Sequence, residues 1–206
     1  LSAGFTHRTA PDWRLGGALD ALISRGRAAP LRDGRYVEAR LGYAYRPVAT
    51  DRLNALVSYT FLEDLPGPDQ VNIDGDRAGP LQRSHILNAA LSYDLSPRFT
   101  LGLKYGFRFR QQADRGATAF TASTGHLFVA RLDYRIVHAW DAMAELRAFH
   151  APRVGHTVFG ALLGLYREVN RHARIGVGYA WGGVQDDLRR IRPAREGVFV
   201  NVIGRF

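Results

Sequence analysis

Residues 99–110 (FTLGLKYGFRFR) place Phe99, Leu101, Leu103, Tyr105, Phe107 and Phe109 at one parity. Thr100, Gly102, Lys104, Gly106, Arg108 and Arg110 fall at the other. Successive side chains of an extended chain point to opposite faces, so this stretch forms a strand with one apolar face and one of glycine and cations. The same period of two recurs along the whole chain, in segments of about ten residues separated by turn residues. Strands that repeat in this way are expected to form a transmembrane β-barrel with the apolar face outward. A soluble sandwich or lipocalin-like barrel also alternates, but its interior must be large and apolar. With the glycine-rich face turned inward, an interior holding this many arginines is not tolerated in a water-soluble core.

The pattern predicts strands over 1–9, 13–24, 36–46, 53–62, 84–95, 99–110, 126–136, 140–150, 157–169, 173–183 and 198–206. Both faces of 157–169 are apolar or glycine, so its facing is left open. Short connections at Pro11, 47–52, 96–98, 137–139 and 170–172 alternate with longer, more polar ones. Outer-membrane barrels have this asymmetry, with short periplasmic turns and long extracellular loops. Counting back from a periplasmic C-terminus puts every short turn on the periplasmic side. Trp13, Tyr45, Tyr93, Phe99, Tyr134, Trp140 and Phe206 then fall near periplasmic strand ends. Tyr59, Phe61, Phe107, Phe109, Tyr179 and Trp181 fall near extracellular ends, which gives the two aromatic girdles of a membrane barrel. The terminal Phe206 resembles the signal read by the barrel assembly machinery.

The length of 206 residues fits one domain, an outer-membrane β-barrel over residues 1–206. The strand pattern already runs at Leu1, which predicts either a mature product or the C-terminal part of a longer protein. Single-chain bacterial barrels have even strand numbers, so about eleven strands in this chain imply about twelve in the complete barrel. No apolar run reaches the roughly 18 residues that a transmembrane helix needs. Cysteine is absent, which suits an oxidising envelope compartment. The formal net charge is +9, but the arginines are spread over alternate positions rather than gathered in a patch, so nucleic acid is not the expected partner. The expected partners are outer-membrane lipid and lipopolysaccharide, the assembly machinery and other envelope subunits.

The residues expected to line the lumen are Glu38, Arg40, Lys104, Arg108, Arg110, Arg131, Asp133, Arg135, Glu145, Arg147 and Arg174. Charges in a narrow space must pair or meet water. Asp133 with Arg131 and Arg135, and Glu145 with Arg147 on the next strand, suit a salt-bridge ladder. Such a ladder could brace a filled barrel, or the excess of cations could line a pore that favours anions.

The loop 63–83 carries Glu63, Asp64, Asp69, Asp74 and Asp76. It lacks a bidentate glutamate at calcium-loop spacing and is expected to be a solvated loop, with no metal and no cofactor bound. The basic stretch 188–195 could touch lipopolysaccharide phosphates. Ser84 with His85, Ser123 with His126, and His150 with His156 are the pieces from which a hydrolase could be built. No motif joins a nucleophile, a base and an orienting carboxylate, so no catalytic residue and no enzyme activity is expected.

The stretches 36–47 (YVEARLGYAYRP), 51–61 (DRLNALVSYTF) and 176–181 (GVGYAW) resemble the C-terminal barrel domain of large, multi-domain cell-envelope proteins of Gram-negative bacteria. The resemblance implies a role in anchoring or displaying an upstream region. A porin-like passive channel with a basic lumen and an autotransporter-type translocator are the alternatives.

Overall fold

The computed structural model describes residues 1–25, 33–70, 79–170, 173–183, 188 and 196–204. Eleven strands follow one another: β1 (Ser2–Ala10), β2 (Trp13–Ser24), β3 (Gly34–Tyr45), β4 (Leu53–Leu65), β5 (Leu81–Ser96), β6 (Phe99–Ala113), β7 (Thr121–Val137), β8 (Trp140–Ala151), β9 (His156–Asn170), β10 (Ala173–Gly182) and β11 (Gly197–Gly204). They form one antiparallel sheet in which each strand pairs with its neighbours in sequence, from β1 to β11. The fold is therefore all-β, as the alternation predicts.

The period of two decides which side chains face out. Phe128 of β7 lies opposite Tyr105 of β6 and Ala148 of β8, and all three belong to the apolar face. That face is the exposed one. Leu146 is 65% and Phe159 73% exposed, whereas Ile86 and Leu127 on the other face are 1% and 0% exposed. A large apolar side chain left in water forgoes about 1.5–3 kcal/mol of burial. A wall of Leu41, Val57, Leu103, Phe128, Leu146 and Phe159 is accordingly built to face lipid. Around mid-height this wall carries a shallow apolar groove, where Ala89, Ala130, Ala148 and Ala161 sit among larger neighbours. The exposed side chains are thus the membrane surface of a bacterial outer-membrane barrel.

The aromatic girdles are present on the same face. At the end with short turns, Trp13 stacks on Tyr43 at 4.8 Å and Phe99 on Tyr134 at 4.5 Å. At the other end, hydrogen bonds join Tyr59 Oη to His85 Nδ1 (2.7 Å) and Tyr105 Oη to His126 Nδ1 (2.9 Å). Tyr179 and Trp181 pack at 4.7 Å. Phe206 lies outside the described residues.

Several strands are longer than the apolar pattern indicates. β4 reaches Leu65, β5 begins at Leu81, β6 ends at Ala113 and β7 begins at Thr121. The ladder still pairs Glu63 with Arg83 and Gln111 with Ala122. These segments rise beyond the lipid, where nothing selects an apolar face, but backbone pairing continues. Glu63 is therefore not part of a solvated loop. It is 7% exposed and takes ion pairs from Arg35 (2.6 Å) and Arg83 (2.8 Å). Asp74 and Asp76 lie outside the described residues, as does the basic stretch apart from Leu188.

The facing of β9 is now assigned. Phe149 of β8 pairs with Val158, and Met143 with Gly164, so Val158, Gly160, Leu162, Gly164 and Tyr166 face inward. Phe159, Ala161, Leu163 and Leu165 face the lipid.

Candidate functional site

The inward face forms the candidate site. Strand parity and register bring Glu38, Arg40, Lys104, Arg108, Arg110, Arg131, Asp133, Arg135, Glu145, Arg147 and Arg174 onto it. They fall into three levels along the barrel.

The first level lies towards the end with long connections. Glu38 accepts a hydrogen bond from the Tyr36 hydroxyl at 2.5 Å and an ion pair from Arg40 Nε at 3.4 Å. Arg40 also reaches Asp20 at 3.1 Å, and Asp20 accepts from Ser2 at 2.6 Å. Across the same face, Ser84 of β5 is in register with Arg110 of β6. Ser84 Oγ and Arg110 Nε are buried and make no hydrogen bond. Arg108, two residues along, is 3% exposed.

The second level is apolar, which the sequence reading did not anticipate. Ile86, Leu127, Val129, Phe149 and Leu188 form one buried cluster, with Ala151 and Val158 against it. Leu188 comes from the connection between β10 and β11 and packs on Gly106 of β6, where any side chain would collide with it. The lumen face is therefore not only glycine, small polar residues and charge. It has an apolar waist, beside which Lys104 sits in register with Val129.

The third level is charged and lies near the short turns. Arg131 makes a two-pronged pair with Asp133, at 2.8 and 2.7 Å. Arg147 pairs with Glu145 at 2.5 Å, and Arg131 stands opposite Glu145 in the register. Asp141 receives Arg174 at 2.9 Å and Arg135 at 3.8 Å. The sequence suggests a cross-strand ladder of Asp133 and Glu145 with these arginines; instead Arg131–Asp133 and Arg147–Glu145 run along a strand, between residues i and i+2, and Asp141 is the carboxylate reached from other strands. Arg174 also lies 4.5 Å over the Tyr166 ring, which occupies the space left by the missing side chain of Gly176. A cavity of about 230 Å³ opens between these charges and the 96–98 turn. A neighbouring cavity of about 200 Å³ is bounded by Arg135, His138, Asp141 and Glu168.

Two other chemistries are limited by the same geometry. Among the described residues, no three His, Asp or Glu side chains gather as metal ligands do. Each serine–histidine or histidine pair named from the sequence is split by the wall. Ser84 and Ser123 share the inward register of Arg110, whereas His85 faces Phe61 and Phe109 on the outside, and His126 and His150 lie opposite each other there. His156 has the inward parity of Val158.

An antiparallel meander with a lipid-facing apolar wall and a charged interior defines the class of outer-membrane β-barrels, the fold of channels and porins. The chain belongs to the family described as "Putative MetA-pathway of phenol degradation", whose model matches residues 1–124. In fold it is similar to the outer membrane channel DcaP of Acinetobacter baumannii, with 10% identity and a TM-score of 0.59 over 98% of this chain and 61% of that one. It is also similar to a bacterial polysaccharide outer membrane secretin, with 13% identity and a TM-score of 0.56 over 98% and 67% of the two chains. The NanC porin matches with 10% identity and a TM-score of 0.50, covering 100% of this chain and 98% of the porin. The chain thus spans less than two thirds of DcaP. No curated protein matches it. What these findings share with the resemblance noted from the sequence is the outer-membrane barrel.

Proposed function

We propose that the protein is a passive, porin-like outer-membrane channel whose basic lumen favours small anions. One observation carries the reading: the inward face of β6 presents Lys104, Arg108 and Arg110 to the lumen, and that face of the strand has no acidic residue. Cations fixed in a low-dielectric wall attract anions and repel cations, and their influence is strongest in a narrow passage. Likeness in fold to channels and porins supports the same reading, and the family's phenol description agrees with a small solute. The function requires no catalytic residue.

The test is single-channel conductance of the refolded barrel in a planar bilayer, with a salt gradient across it. Stepwise openings with an anion-selective reversal potential are expected. Cation selectivity would overturn the anion preference. A folded but silent barrel would overturn the channel reading and return the protein to anchoring or displaying another envelope component.

A further inference from the structure

The cavity beside the 96–98 turn holds more guanidinium groups than its carboxylates engage. Arg98, Arg131, Arg135 and Arg174 line it, against Asp133 and Asp141. Asp133 is occupied on both oxygens by Arg131. Asp141 holds Arg174 closely and Arg135 only at 3.8 Å. Arg98 projects from the turn, and among the described residues its side chain makes no hydrogen bond or ion pair. Arg174 Nε is buried and makes no hydrogen bond. Donors of this kind, converging on one concave space, match the two oxygens of a carboxylate or the face of a phosphate.

Size and access narrow the choice. At about 230 Å³ the cavity is smaller than the roughly 300–1,000 Å³ typical of drug-sized ligands. The way to it from the long-loop end passes the waist of Ile86, Leu127, Val129, Phe149 and Leu188. An apolar constriction excludes strongly hydrated ions by dewetting, and an inorganic dianion suffers most. An anion whose charge sits on one end of an apolar body loses far less.

We infer that this cavity is a binding station for a small organic monocarboxylate, with Arg98 and Arg135 holding the carboxylate. The Arg131–Asp133 and Arg174–Asp141 pairs form its rigid wall. The inference rests on the channel reading for its route of entry. The binding itself does not depend on conduction.

The experiment is isothermal titration of the refolded barrel in detergent at low salt, with benzoate as the probe and inorganic phosphate as competitor. Folding of every variant is checked by heat-modifiable migration on a gel. Saturable benzoate binding is expected, about tenfold weaker in the Arg98→Gln, Arg135→Gln double variant, as befits loss of charge-assisted contacts. Arg46→Gln, in an exposed turn ion pair with Asp51, is expected to bind as the parent does. If Arg135→Gln fails to fold, Arg98→Gln alone is decisive, since it breaks no pair. Absence of saturable binding, an equal loss in Arg46→Gln, or displacement by phosphate at equal concentration would each overturn the inference. A barrel that binds benzoate but is silent in a bilayer keeps this inference and sinks the channel reading. A conducting barrel that does not bind benzoate does the reverse.

Discussion

Leu188 packs on Gly106 of β6 so tightly that a methyl group on Gly106 would overlap it. A residue from the β10–β11 connection thereby completes the apolar waist begun by Ile86, Leu127, Val129 and Phe149. Leu188→Ala should raise single-channel conductance, because it removes three carbons from the apolar waist while leaving every strand pairing intact. An unchanged conductance would mean that the solute path does not pass this level.

Asp133 neutralises Arg131 through both of its oxygens. Asp133→Asn removes a lumen carboxylate and deprives the guanidinium of its two-pronged partner. The reversal potential under a salt gradient should then shift further towards anion selectivity. A shift towards cations, or none, would place this pair away from the ion path.

Glu63 bridges Arg35 of β3 and Arg83 of β5 from the strand between them. Glu63→Gln leaves two guanidinium groups facing one another above the membrane. Loss of the bridge should cost about 1–2 kcal/mol, because Glu63 is buried while both arginines are half exposed to water. A lower urea midpoint for the refolded barrel would register it, and an unchanged midpoint would show that the bridge contributes nothing.

Leu146 stands on the lipid face near mid-strand, opposite Ala130 and Ala161. Leu146→Arg should destabilise the barrel in liposomes by about 2–4 kcal/mol, the cost of a cation at mid-bilayer on a barrel wall. Val154→Arg, in the connection between β8 and β9, should cost little. Equal tolerance at both sites would argue that Leu146 does not meet lipid.

The chain displays its membrane-crossing segments openly because lipid imposes a strict rule on one parity of every strand. Leu101, Leu103 and Phe107 could be assigned outward from their spacing alone. Where the solvent changes, the rule lapses. Leu81–Arg83, Gln111–Ala113 and Thr121–Gly125 extend their strands in mixed polarity, so their pairing was not visible in the sequence. The charged residues of the lumen were legible for the same reason as the wall, being the other parity. The apolar waist was not. Leu127 and Val129 flank Phe128 in an unbroken apolar run, and their partner Leu188 arrives from a connection far along the chain. Nor does spacing reveal that Arg131 prefers Asp133 on its own strand to Glu145 opposite it.

Every strand here finds its partners among its immediate neighbours in sequence. Two adjacent strands and the turn between them therefore form a self-contained module. Deleting or duplicating one such module returns the chain to the same end of the membrane and leaves the parity of every later residue unchanged. A lineage built on this plan can widen or narrow its bore in steps of one hairpin, with no lipid-facing side chain turned inward along the way.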